Sequence, residues 1–193
     1  MGIIQVSYEF YQRGKSVSCG IVWTKWKGDM MKEQLVSGFS HLAFNVSDME
    51  KALNFYCGIL GLKKMYEMIV PENIGDLFPG QPIADMAGKP DLVYLQISPG
   101  VLLELFYPKP GTDLNSGGPN YEKIGYVHLS LLVKDIEQAA ETLLQQGIEL
   151  DSDITLGPDQ TYQFWAKDPD GNRIEFMQYT DQSFQLIYKE APK

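Results

Sequence analysis

The 193-residue chain contains two histidines, and both stand at the fourth position of a repeated phrase. GFSHLAFNVSD, residues 38–48, returns as GYVHLSLLVKD, residues 125–135. The copies agree at Gly38/Gly125, His41/His128, Leu42/Leu129, Val46/Val133 and Asp48/Asp135, then at Glu50/Glu137 and Ala52/Ala139. Each copy also ends in a strand-like run carrying a glutamate: Glu104 in VLLELFY and Glu175 in RIEFMQY. Two imidazoles and two carboxylates form an N2O2 donor set that suits a divalent ion such as Zn, Ni, Co or Mn and leaves room for water or substrate. Taken singly, a strand histidine is more often a hydrogen-bonded core residue, and a strand glutamate more often lies at the surface. Recurrence of all four in register, with no other histidine in the chain, favours His41, Glu104, His128 and Glu175 as metal ligands.

To bring such residues together, each copy must place its histidine on a first strand and its glutamate on a last one. The intervals are 63 and 47 residues, so the first copy carries about 16 extra residues in its middle loop. Alternation puts Phe39, His41, Ala43 and Asn45 on one face of the first strand and Ser40, Leu42, Phe44 and Val46 on the other. Ser47 with Glu50 predicts a capping box opening a helix over about 48–60, stopped by Gly61. A strand over 62–70 follows. The segment from Pro71 to Pro90, with four prolines and three glycines, reads as a loop or lid with a short apolar turn near 74–78. Strands over 92–98 and 101–107 flank a Pro99-Gly100 turn, with Leu102, Glu104 and Phe106 on one face. After a Pro- and Gly-rich linker, the second copy repeats the plan: strand 126–133, helix 135–146 stopped by Gly147, a short strand near 148–154, and strands 161–166 and 173–179 joined by the DPDGN turn of residues 168–172. The prediction is an α+β fold of paired βαβββ modules forming a curved mixed sheet, with an extension over 1–36, modules over 37–108 and 125–180, a linker over 109–124 and a tail over 181–193. Phe44, Phe106, Tyr162, Trp165 and Met177 read as core fillers, with pocket lining open to some of them. Arg173 reads equally as a guide for an anionic substrate and as a solvent-facing residue.

The whole chain excludes several classes of function. A hydrophobic fraction of 44% and a charged fraction of 21% describe an ordinary globular protein. A formal charge of −9 with only two arginines, Arg13 and Arg173, lacks the basic footprint of a nucleic-acid binder and is equally unsuited to an anionic membrane surface. No apolar run is long enough to span a bilayer, and Glu9, Arg13 and Lys15 interrupt any secretory signal. Cys19 and Cys57, with no CxxC spacing, fit a reducing cytoplasm better than a disulfide framework. Residues 1–36 lie outside the repeat and carry Tyr8, Phe10, Tyr11, Trp23 and Trp26. They read either as an arm packed on the domain or on a partner subunit, or as a leader ahead of a true start at Met30 or Met31, because Lys27-Gly28-Asp29 is encodable by a purine-rich, ribosome-binding-like sequence.

GFSHLAFNVSDMEKALNFYCGILGLK, residues 38–63, and FWAKDPDGNRIEFMQY, residues 164–179, resemble the vicinal oxygen chelate superfamily. Its members include glyoxalase I, extradiol dioxygenases, methylmalonyl-CoA epimerase and the fosfomycin and bleomycin resistance proteins. The His/Glu/His/Glu order is similar to that of glyoxalase I. The resemblance implies a metal-dependent lyase that isomerises a hemithioacetal of a 2-oxoaldehyde and a thiol, such as methylglyoxal and glutathione, through an enediolate. It assigns proton transfer to Glu175, with Glu104 as the second candidate, and metal ligation to all four residues, with Ni or Zn as the leading ions. It also implies a homodimer in which modules from two chains complete each site. Asn45, Phe106, Trp165, Arg173 and Met177 are the substrate-contact candidates. The chain departs from many bacterial glyoxalases in having Asn45 where they have arginine and Pro108 where they have asparagine, both of which help to bind glutathione there. A different thiol adduct, a dioxygenase or epimerase reaction, and a metal-free module that holds a drug or metabolite are the alternatives.

Overall fold

The computed structural model describes residues 4–12, 15–23, 35–109 and 124–187. An antiparallel hairpin comes first, β1 (Ile4–Gln12) against β2 (Lys15–Trp23). The alternative start at Met30 or Met31, and the linker from residue 110 to 123, lie outside the described residues.

The first module runs β3 (His41–Asn45), α1 (Met49–Leu53) continued by a π-helical turn (Asn54–Ile59), β4 (Lys63–Ile69), β5 (Pro90–Ser98) and β6 (Val101–Phe106). Its strand order is β3-β6-β5-β4. The second module repeats this as β7 (Leu129–Leu132), α3 (Ile136–Gln145), β8 (Thr155–Leu156), β9 (Thr161–Lys167) and β10 (Arg173–Tyr179), ordered β7-β10-β9-β8. In each, the first and last strands pair in parallel and the others antiparallel, so the paired βαβββ fold is observed as two mixed four-stranded sheets.

Local chemistry explains the helix ends. The N-caps are Asp48, which accepts from the backbone N–H groups of Glu50 and Lys51, and Asp135, which accepts from that of Gln138. The expected capping role of Ser47 is therefore taken by Asp48, because the Ser47 N–H donates instead to both carboxylate oxygens of Asp170 at 3.2 Å. Gly61 and Gly147 adopt φ of 74° and 76° and end the two helices as predicted. The segment expected to be a loop, 71–90, contains α2 (Ile74–Leu77) and a 3-10 turn (Pro82–Met86). Val70, Ile74 and Met86 give it a small core of its own, which is why it is ordered despite its prolines. The strand expected near 148–154 is reduced to a bridge between Leu150 and Ala166, with β8 following later. The tail is not a plain extension, since α4 (Phe184–Ile187) docks through buried Ser183, whose hydroxyl donates to the Gln160 carbonyl at 2.9 Å.

One apolar core serves both modules. Phe44, Leu95, Leu103 and Leu105 of the first sheet and Leu131, Phe164, Ile174 and Phe176 of the second join Ala52, Phe55 and Tyr56 of the first helix and Ile136, Ala140 and Leu143 of α3. Phe164 and Phe176 stack at 4.8 Å, a contact of about 0.5–1.5 kcal/mol beyond simple burial. Tyr162 corrects the core reading made for it: it shares the face of Phe164 but sits beyond the core at the sheet's end and is exposed. A polar clamp crosses between modules, with the Tyr56 hydroxyl donating to Asp168 at 2.8 Å and Asn172 donating to it from both backbone and side chain.

Burial raises the Asp168 pKa above its ordinary 3.8, against the lowering effect of hydrogen bonds from Asn172 and Tyr56. A carboxyl with a raised folded-state value favours folding most when protonated, below 3.8, and this contribution is lost as pH rises through the folded value. Removing one donor raises that value further. Tyr56→Phe is expected to cost about 1–3 kcal/mol in urea unfolding at neutral pH. The loss should shrink as acid protonates Asp168; a loss constant with pH would assign it to packing instead.

Candidate functional site

Parallel register brings each histidine beside its glutamate. Ala43 lies opposite Glu104 in the β3/β6 pair, and His41, two residues earlier, projects from the same face. Ser130 lies opposite Glu175 in the β7/β10 pair, and His128, just ahead of β7, takes the corresponding place. The His41 Nε2 to Glu104 Oε1 distance is 3.6 Å, and the His128 Nε2 to Glu175 Oε2 distance is 3.5 Å. Two ligands at about 2.1 Å from one ion lie about 3.0–3.4 Å apart in octahedral or tetrahedral geometry, so each pair is close to the spacing that shared coordination needs.

The two glutamates are buried, at 6% and 8% exposure, while the imidazoles remain partly open to solvent. A buried carboxylate requires compensating partners. For Glu104 these are His41 and Tyr94, which stands opposite it on β5. Hydrogen bonding to Glu104, followed by burial, pushes the Tyr94 phenol up to about 12. The Tyr94 ring packs on Tyr66 at 4.5 Å. For Glu175 the residue opposite is Trp165. Its ring meets His128 edge-on at 4.9 Å and lies 4.4 Å below the Arg173 guanidinium. The outer nitrogens of the imidazoles differ too. His41 Nδ1 is 3.2 Å from the Ser40 hydroxyl, whereas His128 Nδ1 is buried without a hydrogen-bond partner among the described residues.

Each sheet thus assembles one imidazole and one carboxylate, but the two pairs are not brought into a single cluster. Among the described residues no group of three or more His, Cys, Asp and Glu side chains is placed to hold one ion. The reason is architectural: both sheets turn their opposite faces into the common core, so the His/Glu faces look away from it. Of the contact candidates, Asn45 and Phe106 lie on the outward face of the first sheet, with Lys109 5.2 Å from the Phe106 ring. Trp165, Arg173 and Met177 lie on that of the second. The sequence reading missed Tyr94, Ser40 and Tyr66 as neighbours of the site. The alternation of Leu92, Tyr94 and Gln96 was the available signal for Tyr94, but its register against Glu104 was not.

With this geometry in place, the chain belongs to the glyoxalase/bleomycin resistance protein/dioxygenase superfamily, whose family model matches residues 38–176. Members of this superfamily commonly use divalent metals, bind small molecules and often form dimers. Similar solved structures include a glyoxalase/dioxygenase from Nostoc punctiforme, at 22% identity over 79% of this chain and 97% of that one, with a TM-score of 0.56. A lactoylglutathione lyase from Agrobacterium tumefaciens matches at 20% identity, 75% and 96% coverage and a TM-score of 0.50. An antibiotic-binding protein from a Streptomyces species matches at 21% identity, 76% and 99% coverage and a TM-score of 0.52. At these identities the likeness is one of fold. No match was found among curated proteins. No described helix is long and apolar enough to cross a membrane.

The Glu104 carboxylate favours the protonated form of Tyr94, so neutralising that charge should release it. In Glu104→Gln the Tyr94 titration is expected to fall from about 12 toward 10, followed by NMR of ring-labelled, metal-free protein. An unchanged midpoint would assign the shift to burial alone.

Proposed function

We propose that the protein is a metal-dependent lyase of glyoxalase I type, acting on a hemithioacetal formed from a 2-oxoaldehyde and a thiol, with methylglyoxal and glutathione or a related thiol as the reactants. The observation that carries this reading is the repeated pair: a buried glutamate within 3.6 Å of a partly open imidazole on each of two equivalent sheets. His41, Glu104, His128 and Glu175 are the ligands in this reading. Their N2O2 chemistry, their spacing and the Nε2 atoms turned toward the carboxylates fit Ni or Zn, and also Co or Mn. A divalent ion bound there would polarise the substrate oxygens and stabilise the charge that develops on them.

The chain's own groups supply the rest. Glu175 removes the carbon-bound proton and returns it to the neighbouring carbon, converting the hemithioacetal through an enediolate into a 2-hydroxyacyl thioester. Glu104 is the second candidate for proton transfer, and its contact with Tyr94 favours a holding role for it. Both carboxylates are buried, which limits exchange of the abstracted proton with bulk water. Phe106, Trp165 and Met177 offer apolar contact to the substrate, with Asn45 at its polar margin.

The outward orientation of the two pairs supports a homodimer in which the first module of one chain faces the second module of the other. Tyr66, Met68 and Leu132, exposed on those same outward faces by register, are the apolar surface that a second copy would cover. The antibiotic-binding neighbour and the departures at Asn45 and Pro108 support a second reading, a module that holds its ligand without turnover.

Metal analysis, together with an assay on the methylglyoxal–glutathione adduct after reconstitution with Ni, Zn, Co or Mn, separates these. Turnover with about one ion per site is the expected result; binding of neither metal nor adduct would remove the lyase reading. Glu175→Gln is expected to lower kcat by about 10²–10⁴-fold in a folded protein. His41→Ala/Glu104→Gln and His128→Ala/Glu175→Gln should each be inactive as pure proteins, and a refolded mixture should regain activity by forming one intact site in each mixed dimer. A mixture as inactive as its parents would overturn the shared-site arrangement.

A further inference from the structure

We propose that residue 127 sets how tightly the second half of the metal centre is held. Val127 leaves the buried outer nitrogen of His128 without an acceptor, which makes His128 the more weakly held of the two imidazole ligands. This rests on the metal-centred reading above and adds a positioning residue to it. The observation behind it is a difference between two matched places. His41 and His128 stand at the same position of the repeat, and each has Nε2 near a buried glutamate, at 3.6 and 3.5 Å. The residues just before them differ, Ser40 in the first copy and Val127 in the second. The Ser40 hydroxyl lies 3.2 Å from His41 Nδ1. His128 Nδ1 is closed off from solvent and has no hydrogen-bond partner among the described residues.

A neutral imidazole carries one proton. In the metal-free protein that proton can sit on Nε2 of His128, facing Glu175, with Nδ1 left bare. When Nε2 serves as a ligand, the proton must sit on Nδ1 instead. At His41 the resulting N–H has the Ser40 hydroxyl as its acceptor. At His128 it becomes a buried donor with nothing to accept it, which is costly. Trp165, packed edge-on against the ring at 4.9 Å, does not relieve this, because an indole N–H only donates. An accepted Nδ1–H also fixes the rotation of the ring and strengthens Nε2 as a ligand. Losing such a partner typically costs about 10–100-fold in metal affinity. His41 has this support, His128 lacks it, and a hydroxyl at residue 127, set as Ser40 sets its own, would supply it.

Zinc affinity of the full chain, measured by competition with a chromophoric chelator, tests this. Val127→Ser and Val127→Thr are each expected to bind zinc about tenfold more tightly than the wild type. Val127→Ala, which shortens the side chain without adding a hydroxyl, should bind as the wild type does. NMR of ring-labelled histidines separates a hydrogen bond from a packing effect. In zinc-loaded Val127→Ser and Val127→Thr the His128 Nδ1–H signal should move downfield and exchange more slowly, with the His41 signals unchanged. Hydroxyl variants no tighter than the wild type, or equal tightening in Val127→Ala, would overturn the role of residue 127. So would a downfield, hydrogen-bonded His128 Nδ1–H in the zinc-loaded wild type, a result that needs no variant to fold. A wild type that takes up no zinc would overturn the metal-centred reading, and this inference with it.

Discussion

Two carboxylates buried in the middle of two sheets are the constraint on which the rest of this structure depends. A strand interior is a poor place for an ionised group, and each glutamate is tolerated because parallel pairing of the first and last strands sets an imidazole beside it. Parallel neighbours require a crossover, which the helix and the two intervening strands of each module provide. The βαβββ order thus brings a histidine near the start of a module beside a glutamate at its end.

The same order fixes which way the pairs look. Both helices and both apolar sheet faces feed one core, and the clamp of Tyr56, Asp168, Asn172, Asp170 and Ser47 holds the second module's turn against the first module's helix. Phe44 and Tyr126 add an aromatic contact between modules at 5.9 Å. Modules that share one core in this way leave both polar pairs on the sheet faces turned away from it.

Much of this was legible in the sequence. His41 and His128 are found by repetition alone, and the period-two alternation around Glu104 and Glu175 puts them on the correct faces. Gly61 and Gly147 mark both helix ends. The matched Asp48/Asp135 pair held the capping information, but the Ser47–Glu50 spacing imitated a capping box and concealed it. Tyr94 was hidden for a sharper reason. Ser98 pairs with Val101 across the Pro99-Gly100 turn, and carrying that register back would place Tyr94 opposite Leu105; a bulge between Gln96 and Ser98 shifts it by one, onto Glu104. A bulge leaves no composition signal, and one residue of slip changes the face of every side chain. The order in residues 71–90 was hidden because its core is three residues scattered among prolines and glycines.

The repeat makes the two His/Glu pairs equivalent and the residues around them different. In the first module His41 has Ser40 beside its outer nitrogen and Glu104 has Tyr94 opposite, so both groups have polar partners that fix their orientation. In the second module the corresponding positions are Val127, whose side chain offers no polar atom to the imidazole, and Trp165, whose ring meets His128 edge-on at 4.9 Å. The backbone duplication therefore sets an imidazole beside a buried carboxylate twice, while the unlike residues at two matched positions give the first pair hydrogen-bonding neighbours and the second pair an aromatic one.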